Sequence, residues 1–80
     1  MYKNELIAED VNLISVEDIT EQMRITAKTR YSQIEQPAVL MKIENGEYKV
    51  VFDNPQRAIT KGQAVVFYDN DIVVGGGTIK

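Results

Sequence analysis

Cysteine, histidine and tryptophan are all absent from these 80 residues. Without cysteine there is no disulfide, no thiolate nucleophile and no thiol ligand for zinc. Without histidine the commonest acid–base group and the commonest metal ligand are missing. A Ser–His or Cys–His nucleophile therefore cannot be assembled. Long hydrophobic runs are missing too: the longest hold four or five residues, too few for a membrane-crossing helix. The opening Met1-Tyr2-Lys3-Asn4-Glu5 lacks the apolar stretch of a secretory signal. There is no excess of positive charge. Nine Lys+Arg stand against twelve Asp+Glu, a net charge of −3, which argues against a strong stand-alone nucleic-acid binder but allows a local basic patch. With 44% hydrophobic residues and two prolines the composition is globular, not disordered. The expectation is one cytoplasmic domain over 1–80, with no membrane segment. A chain this short buries roughly two-thirds of its unfolded surface, so its stability should be modest.

What is present is alternation of apolar and polar residues over short segments bounded by turn residues, the pattern of an all-β protein. A strand is expected near Glu5–Glu9, followed by an irregular passage through Val11-Asn12-Leu13-Ile14. Ser15 and Asp18 could cap a turn or a single 3₁₀ turn. From Met23 to Tyr31, Met23, Ile25, Ala27, Thr29 and Tyr31 share one face, and Arg24, Thr26, Lys28 and Arg30 the other. That basic stripe reads either as a solvated outer face or as a phosphate-contacting surface. Asn45-Gly46 predicts a type I′ hairpin, because both positions need positive φ. Taken as a two-residue loop, it pairs Ile43 with Tyr48, Met41 with Val50 and Val39 with Phe52, an apolar set that should point inward with Ile25 and Val66. Asp53-Asn54-Pro55-Gln56 and Thr60-Lys61-Gly62-Gln63 read as turns, the second with Gly62 at positive φ. Ala64–Tyr68 is nearly all apolar, which predicts cover on both faces. The hairpin loop near Asn70 is Asp69-Asn70 or Asn70-Asp71. Five or six short strands without a long helix suggest a small antiparallel barrel, which leaves no exposed edge. A sandwich of two small sheets is the alternative.

Little here could catalyse. Asp69 with Asp71, and Glu9 with Asp10, are carboxylate pairs, but they lie in or beside turns, where Asp serves local hydrogen bonding. Gly75-Gly76-Gly77 invites a phosphate-loop reading, which needs a following helix N-terminus, and only three residues follow. A bulge, or close packing of another backbone, is the reading the glycines favour. No catalytic residue and no metal ligand is assigned.

The second half carries a more specific signal. Phe52-Asp53-Asn54-Pro55-Gln56-Arg57-Ala58-Ile59-Thr60-Lys61-Gly62-Gln63-Ala64-Val65-Val66-Phe67-Tyr68 resembles the closing motif F-D-x-P-Q-R-A-V-T-P-G-Q-A-V-V-F-Y of the tRNA-specific 2-thiouridylases. Asp69-x-Asp71 and Gly75-Gly76-Gly77-Thr78-Ile79 are similar to that family's D-G-D and G-G-G-x-I. Lys28-Thr29-Arg30-Tyr31 resembles its K-x-R-Y, and Asn12-Leu13-Ile14-Ser15 its N-W-hydrophobic-S. Lys61, Asn70, Ser32 and Leu13 depart from the family's usual proline, glycine, basic residue and tryptophan.

The resemblance implies the C-terminal β-barrel of a longer enzyme, akin to the second domain of translation elongation factors. Met1 then need not be the native N-terminus. The parent would carry an ATP-pyrophosphatase domain with an S-G-G-x-D-S loop and two cysteines that deliver sulfur to the wobble uridine of certain tRNAs. ATP and a persulfide donor would be the parent's cofactors, with none in this chain. Its partners would be tRNA, the parent's catalytic and central domains and a sulfur-donor protein, and the isolated barrel would be a monomer. Arg24, Lys28, Arg30 and Arg57 are then the candidate RNA contacts. The alternatives are a free-standing RNA-binding or translation-associated barrel and a purely structural interaction domain.

Overall fold

Extended chain places alternate side chains on opposite faces, so an alternating sequence can bury one face only by curling a sheet around it. A computed structural model describes residues 2–17, 19, 22–29, 34–57 and 59–80. Its strands are β1 (Tyr2–Leu13), β2 (Gln22–Thr29), β3 (Gln36–Lys42), β4 (Tyr48–Arg57), β5 (Ala64–Asp69) and β6 (Ile72–Ile79). They form a closed barrel in the order β1-β4-β3-β2-β5-β6, with β6 returning to β1. All six pairings are antiparallel. The architecture is the small antiparallel barrel expected, and the sandwich is set aside by the closing β1–β6 pairing.

The interior is filled by the inward set of each strand: Leu6 and Ala8, Ile25 and Ala27, Ala38 and Leu40, Tyr48, Val50 and Phe52, Val65 and Phe67, Val74 and Ile79, with Ile19 joining from the β1–β2 connection. No polar side chain is buried among the described residues.

The hairpin expectation is half right. Asn45 (φ 59°, ψ 30°) and Gly46 (φ 73°) take the positive φ of a type I′ turn, closed by the Glu47 N–H donating to Glu44 O at 3.0 Å. The Ile43 N–H, however, donates to Glu47 O at 3.0 Å. Ile43 and Glu44 thus both oppose Glu47, a β-bulge that adds one residue to the β3 side. The register becomes Ala38 with Phe52, Leu40 with Val50 and Lys42 with Tyr48. A slip of one residue exchanges the faces of a strand. Val39 and Met41 are therefore half-buried on the outside and Ile43 is exposed, while Ala38 and Leu40 take the inward places. Tyr48, Val50, Phe52 and Ile25 are buried as expected.

Other expectations are corrected as well. Val66 is half-buried and faces outward, since β5 buries only Val65 and Phe67. Asp53–Gln56 is not a turn but part of β4, with Gln56 opposite Lys3. The pairing jumps there, from Glu5 opposite Val51 to Lys3 opposite Gln56. Pro55, which has no N–H to give, sits inside that interruption. β1 runs unbroken to Leu13 instead of ending near Glu9, because a bulge absorbs the irregularity between Glu9 and Asn12, where Asp10 takes φ 53°. Ser15 lies in a bend and not in a helical turn, and Asp18 lies outside the described residues. The tight loop of the last hairpin is Asn70-Asp71, with Asp69 opposite Ile72 and Asn70 at φ 57°. Gly62 takes φ 83°, as its turn requires.

Candidate nucleic-acid interface

β2 presents its stripe as the alternation predicts. Ile25 and Ala27 are buried, and Arg24 and Lys28 are exposed on the outer face with half-buried Thr26 between them. Arg30 lies outside the described residues. Arg57 is exposed at the far end of β4, where it pairs with Tyr2 on β1. β3 lies between β4 and β2, so Arg57 is two strands away from the β2 stripe, at the end of β4 that pairs with the start of β1.

The outer-face cations differ in what they hold. The Arg24 guanidinium reaches across β3 to Asp53 on β4 and donates to both carboxylate oxygens, Nη1 to Oδ1 at 2.6 Å and Nη2 to Oδ2. This hydrogen bonding, aided by the opposite charge, raises the Arg24 pKa and lowers that of Asp53. Both side chains are well exposed, so the pair is screened and adds little to stability. Lys49 pairs with Glu5 at 3.3 Å, and Lys80 donates to Glu47 at 2.7 Å, which raises the Lys80 pKa. Among the described residues, Lys28, Lys3, Arg57 and Lys61 have no such acidic partner.

Two open grooves flank β2 on its outer face. One, of about 160 Å3, is lined by Arg24, Ile25, Thr26, Pro37, Tyr68, Asp69 and Asn70. The other, of about 400 Å3, is lined by Lys28, Thr29, Gln63, Ala64, Val66 and Tyr68. Tyr68, opposite Thr26 across the β2–β5 pairing, belongs to both. Sequence reasoning did not find Tyr68, because the unbroken apolar run of β5 hides which face is outermost. It also missed Asp53 as the partner of Arg24.

The three glycines are hemmed in by backbone. A Cβ on Gly75 would collide with the Asn12 carbonyl oxygen, one on Gly76 would stand 2.9 Å from Val65 O, and one on Gly77 2.8 Å from Glu9 O. They let β1 and β5 close on β6, the close backbone approach expected of them. No group of three or more acidic, His or Cys residues able to hold a metal is found among the described residues.

Residues 3–79 match the family described as the aminomethyltransferase β-barrel domain. The chain belongs to that family. Over all 80 residues it is 56% identical to a tRNA-specific 2-thiouridylase MnmA of Acetivibrio thermocellus and 54% identical to one of Clostridioides difficile. A third protein of that name, from a Thermoanaerobacter species, is 55% identical. The chain covers 22% of each of these three proteins, corresponding to their C-terminal domain. The resemblance read from the motifs around Pro55, Gly62 and Gly75–Gly77 thus extends along the whole barrel.

Proposed function

We propose that this chain is the C-terminal accessory barrel of an enzyme that 2-thiolates the wobble uridine of certain tRNAs, and that the outer face of β2 rests on the tRNA backbone. The observation that carries the reading is the match, more than half identical over all 80 residues, to proteins named tRNA-specific 2-thiouridylase. In this reading ATP and a persulfide donor are handled by the parent's catalytic and central domains, in the cytoplasm. The chain has no thiol to carry sulfur. Its three consecutive glycines are occupied in packing against the backbone of β1 and β5. What remains for the barrel is binding and positioning.

Lys28, with no acidic partner among the described residues, is the leading phosphate contact, with Arg30 beside it in sequence. Arg24 is the weaker candidate, because it would have to leave Asp53. Arg57 stands apart and would touch a different stretch of RNA. Contacts of this kind position the backbone and carry no base preference. The reading is tested by a chimera in which these 80 residues replace the matching segment of the Acetivibrio thermocellus relative. The 2-thiouridine content of tRNA from cells relying on the chimera is then measured by mass spectrometry. Retained thiolation supports the assignment. A folded chimera that leaves tRNA unthiolated contradicts it.

A further inference from the structure

On the outer face, the larger groove has an unusual combination of groups for so acidic a chain. Its walls are apolar where Ala64, Val66 and the Tyr68 ring contribute, and its charged member is Lys28. Lys28 sits opposite Val66, one strand away, and Tyr68 sits opposite Thr26, two residues along β2. Ring and ammonium therefore line one groove about one side-chain row apart. No carboxylate lines it, whereas Asp69 lines the smaller groove on the other side of Tyr68. An apolar surface bearing an aromatic ring, next to a lone cation, fits a group with one flat apolar part and one anionic part. Its volume of about 400 Å3 is of the size that takes a single small ligand.

We propose that this groove between β2 and β5 is a subsite for one unpaired nucleotide of RNA, its base against Tyr68 and Val66 and its phosphate on Lys28. The inference rests on the RNA-binding reading above and adds to it a preference for unpaired over duplex RNA, because only an unstacked base can lie against a side-chain ring. Stacking on a ring uses the face that every base has, so the subsite tolerates any base.

The test uses the 80-residue chain with two probes, a six-nucleotide oligouridylate and a blunt RNA duplex of equal phosphate number. With four tyrosines and no tryptophan, binding is followed by tyrosine fluorescence and checked by NMR shifts. The subsite predicts that the single strand binds about tenfold tighter than the duplex, a typical loss for one stacked base. It also predicts that Tyr68→Leu removes that preference while leaving the salt dependence unchanged. Tyr68→Phe keeps the ring and should keep the preference, which separates stacking from a general loss of fold. If both probes bind equally and Tyr68→Leu changes nothing, the subsite is wrong and the phosphate-contact reading stands. If neither probe binds, the subsite is wrong for this chain, while the chimera still decides the parent assignment.

Discussion

Phe52 and Gly75 mark two opposite ways in which one residue fixes this barrel. Phe52 is 3% exposed and points into the barrel from β4, opposite Ala38 of β3. Phe52→Ala should cost about 3–5 kcal/mol, the sum of lost burial and a cavity, a large share of a small domain's stability. Urea denaturation of the two proteins reads this directly, and an unchanged midpoint would contradict the core described. Gly75 has the reverse problem, since any Cβ meets the Asn12 carbonyl. Gly75→Ala should therefore destabilise by about 2 kcal/mol or more, as overpacking does. Gly46→Ala meets nothing in space and suffers only its φ of 73°, about 1 kcal/mol. The reversed order of the two glycine variants would contradict the packing of β6 on β1. Asp53 supplies a test of charge. Its pKa is lowered chiefly by the Arg24 hydrogen bond, so the pair's contribution is present above the ordinary carboxylate pKa of about 3.9 and is lost as pH falls through the lowered folded value. In an NMR titration of the Asp53 carboxyl carbon, Arg24→Ala should move the midpoint upward. An unmoved midpoint would mean the ion pair does not persist in solution.

At the scale of elements, the β3–β4 hairpin shows how one bulge decides a face. The Glu44 insertion lets Leu40, and not Met41, meet Val50. Deleting Glu44 should leave that register in place, because Ile43 already opposes Glu47 and Asn45-Gly46 then becomes a plain two-residue loop. Nuclear Overhauser contacts between Leu40 and Val50 should survive the deletion. Their replacement by Met41–Val50 contacts would show that the bulge is not where the slip resides. The turn chemistry was partly legible in the sequence: Asn45-Gly46 and Gly62 carry the expected positive φ, whereas the Asn70 loop, open between two registers in the sequence, is fixed by the φ of 57° at Asn70. Strand β2 was legible because its alternation is uninterrupted. β3 was not, because Ala38-Val39-Leu40-Met41 is apolar on both faces and pattern alone cannot say which face is inner. The same ambiguity in Ala64–Tyr68 concealed Tyr68, the residue common to both outer grooves. Pro55 was misread for a different reason, since a proline ends pairing locally without ending the strand. The Arg24–Asp53 pair joins residues 29 apart across an intervening strand, a distance in sequence at which spacing carries no information.

For the whole molecule, closure of six strands into a barrel removes every edge and leaves the outer face as the surface available for partners. The net charge of −3 disfavours RNA over that surface as a whole, so in the proposed reading the contact is local and the isolated chain should bind tRNA weakly. Acidic and basic groups are not spread alike: Arg24, Lys49 and Lys80 are tied to Asp53, Glu5 and Glu47, while Lys28 beside the larger groove is not. In the reading proposed above, the β2 face meets the tRNA backbone of the full-length parent through Lys28. The most direct test of that contact is tRNA affinity of that parent across a salt series, for the unchanged protein, Lys28→Ala and Arg24→Ala. Each phosphate neutralised contributes about 0.9 to the logarithmic salt slope on B-form duplex and about 0.7 on single strands. A Lys28 phosphate contact requires weaker binding by Lys28→Ala for every substrate tRNA, with a slope shallower by just under one unit, and an unchanged slope for Arg24→Ala. An unchanged affinity and slope in Lys28→Ala would contradict it and leave the stripe a solvated face.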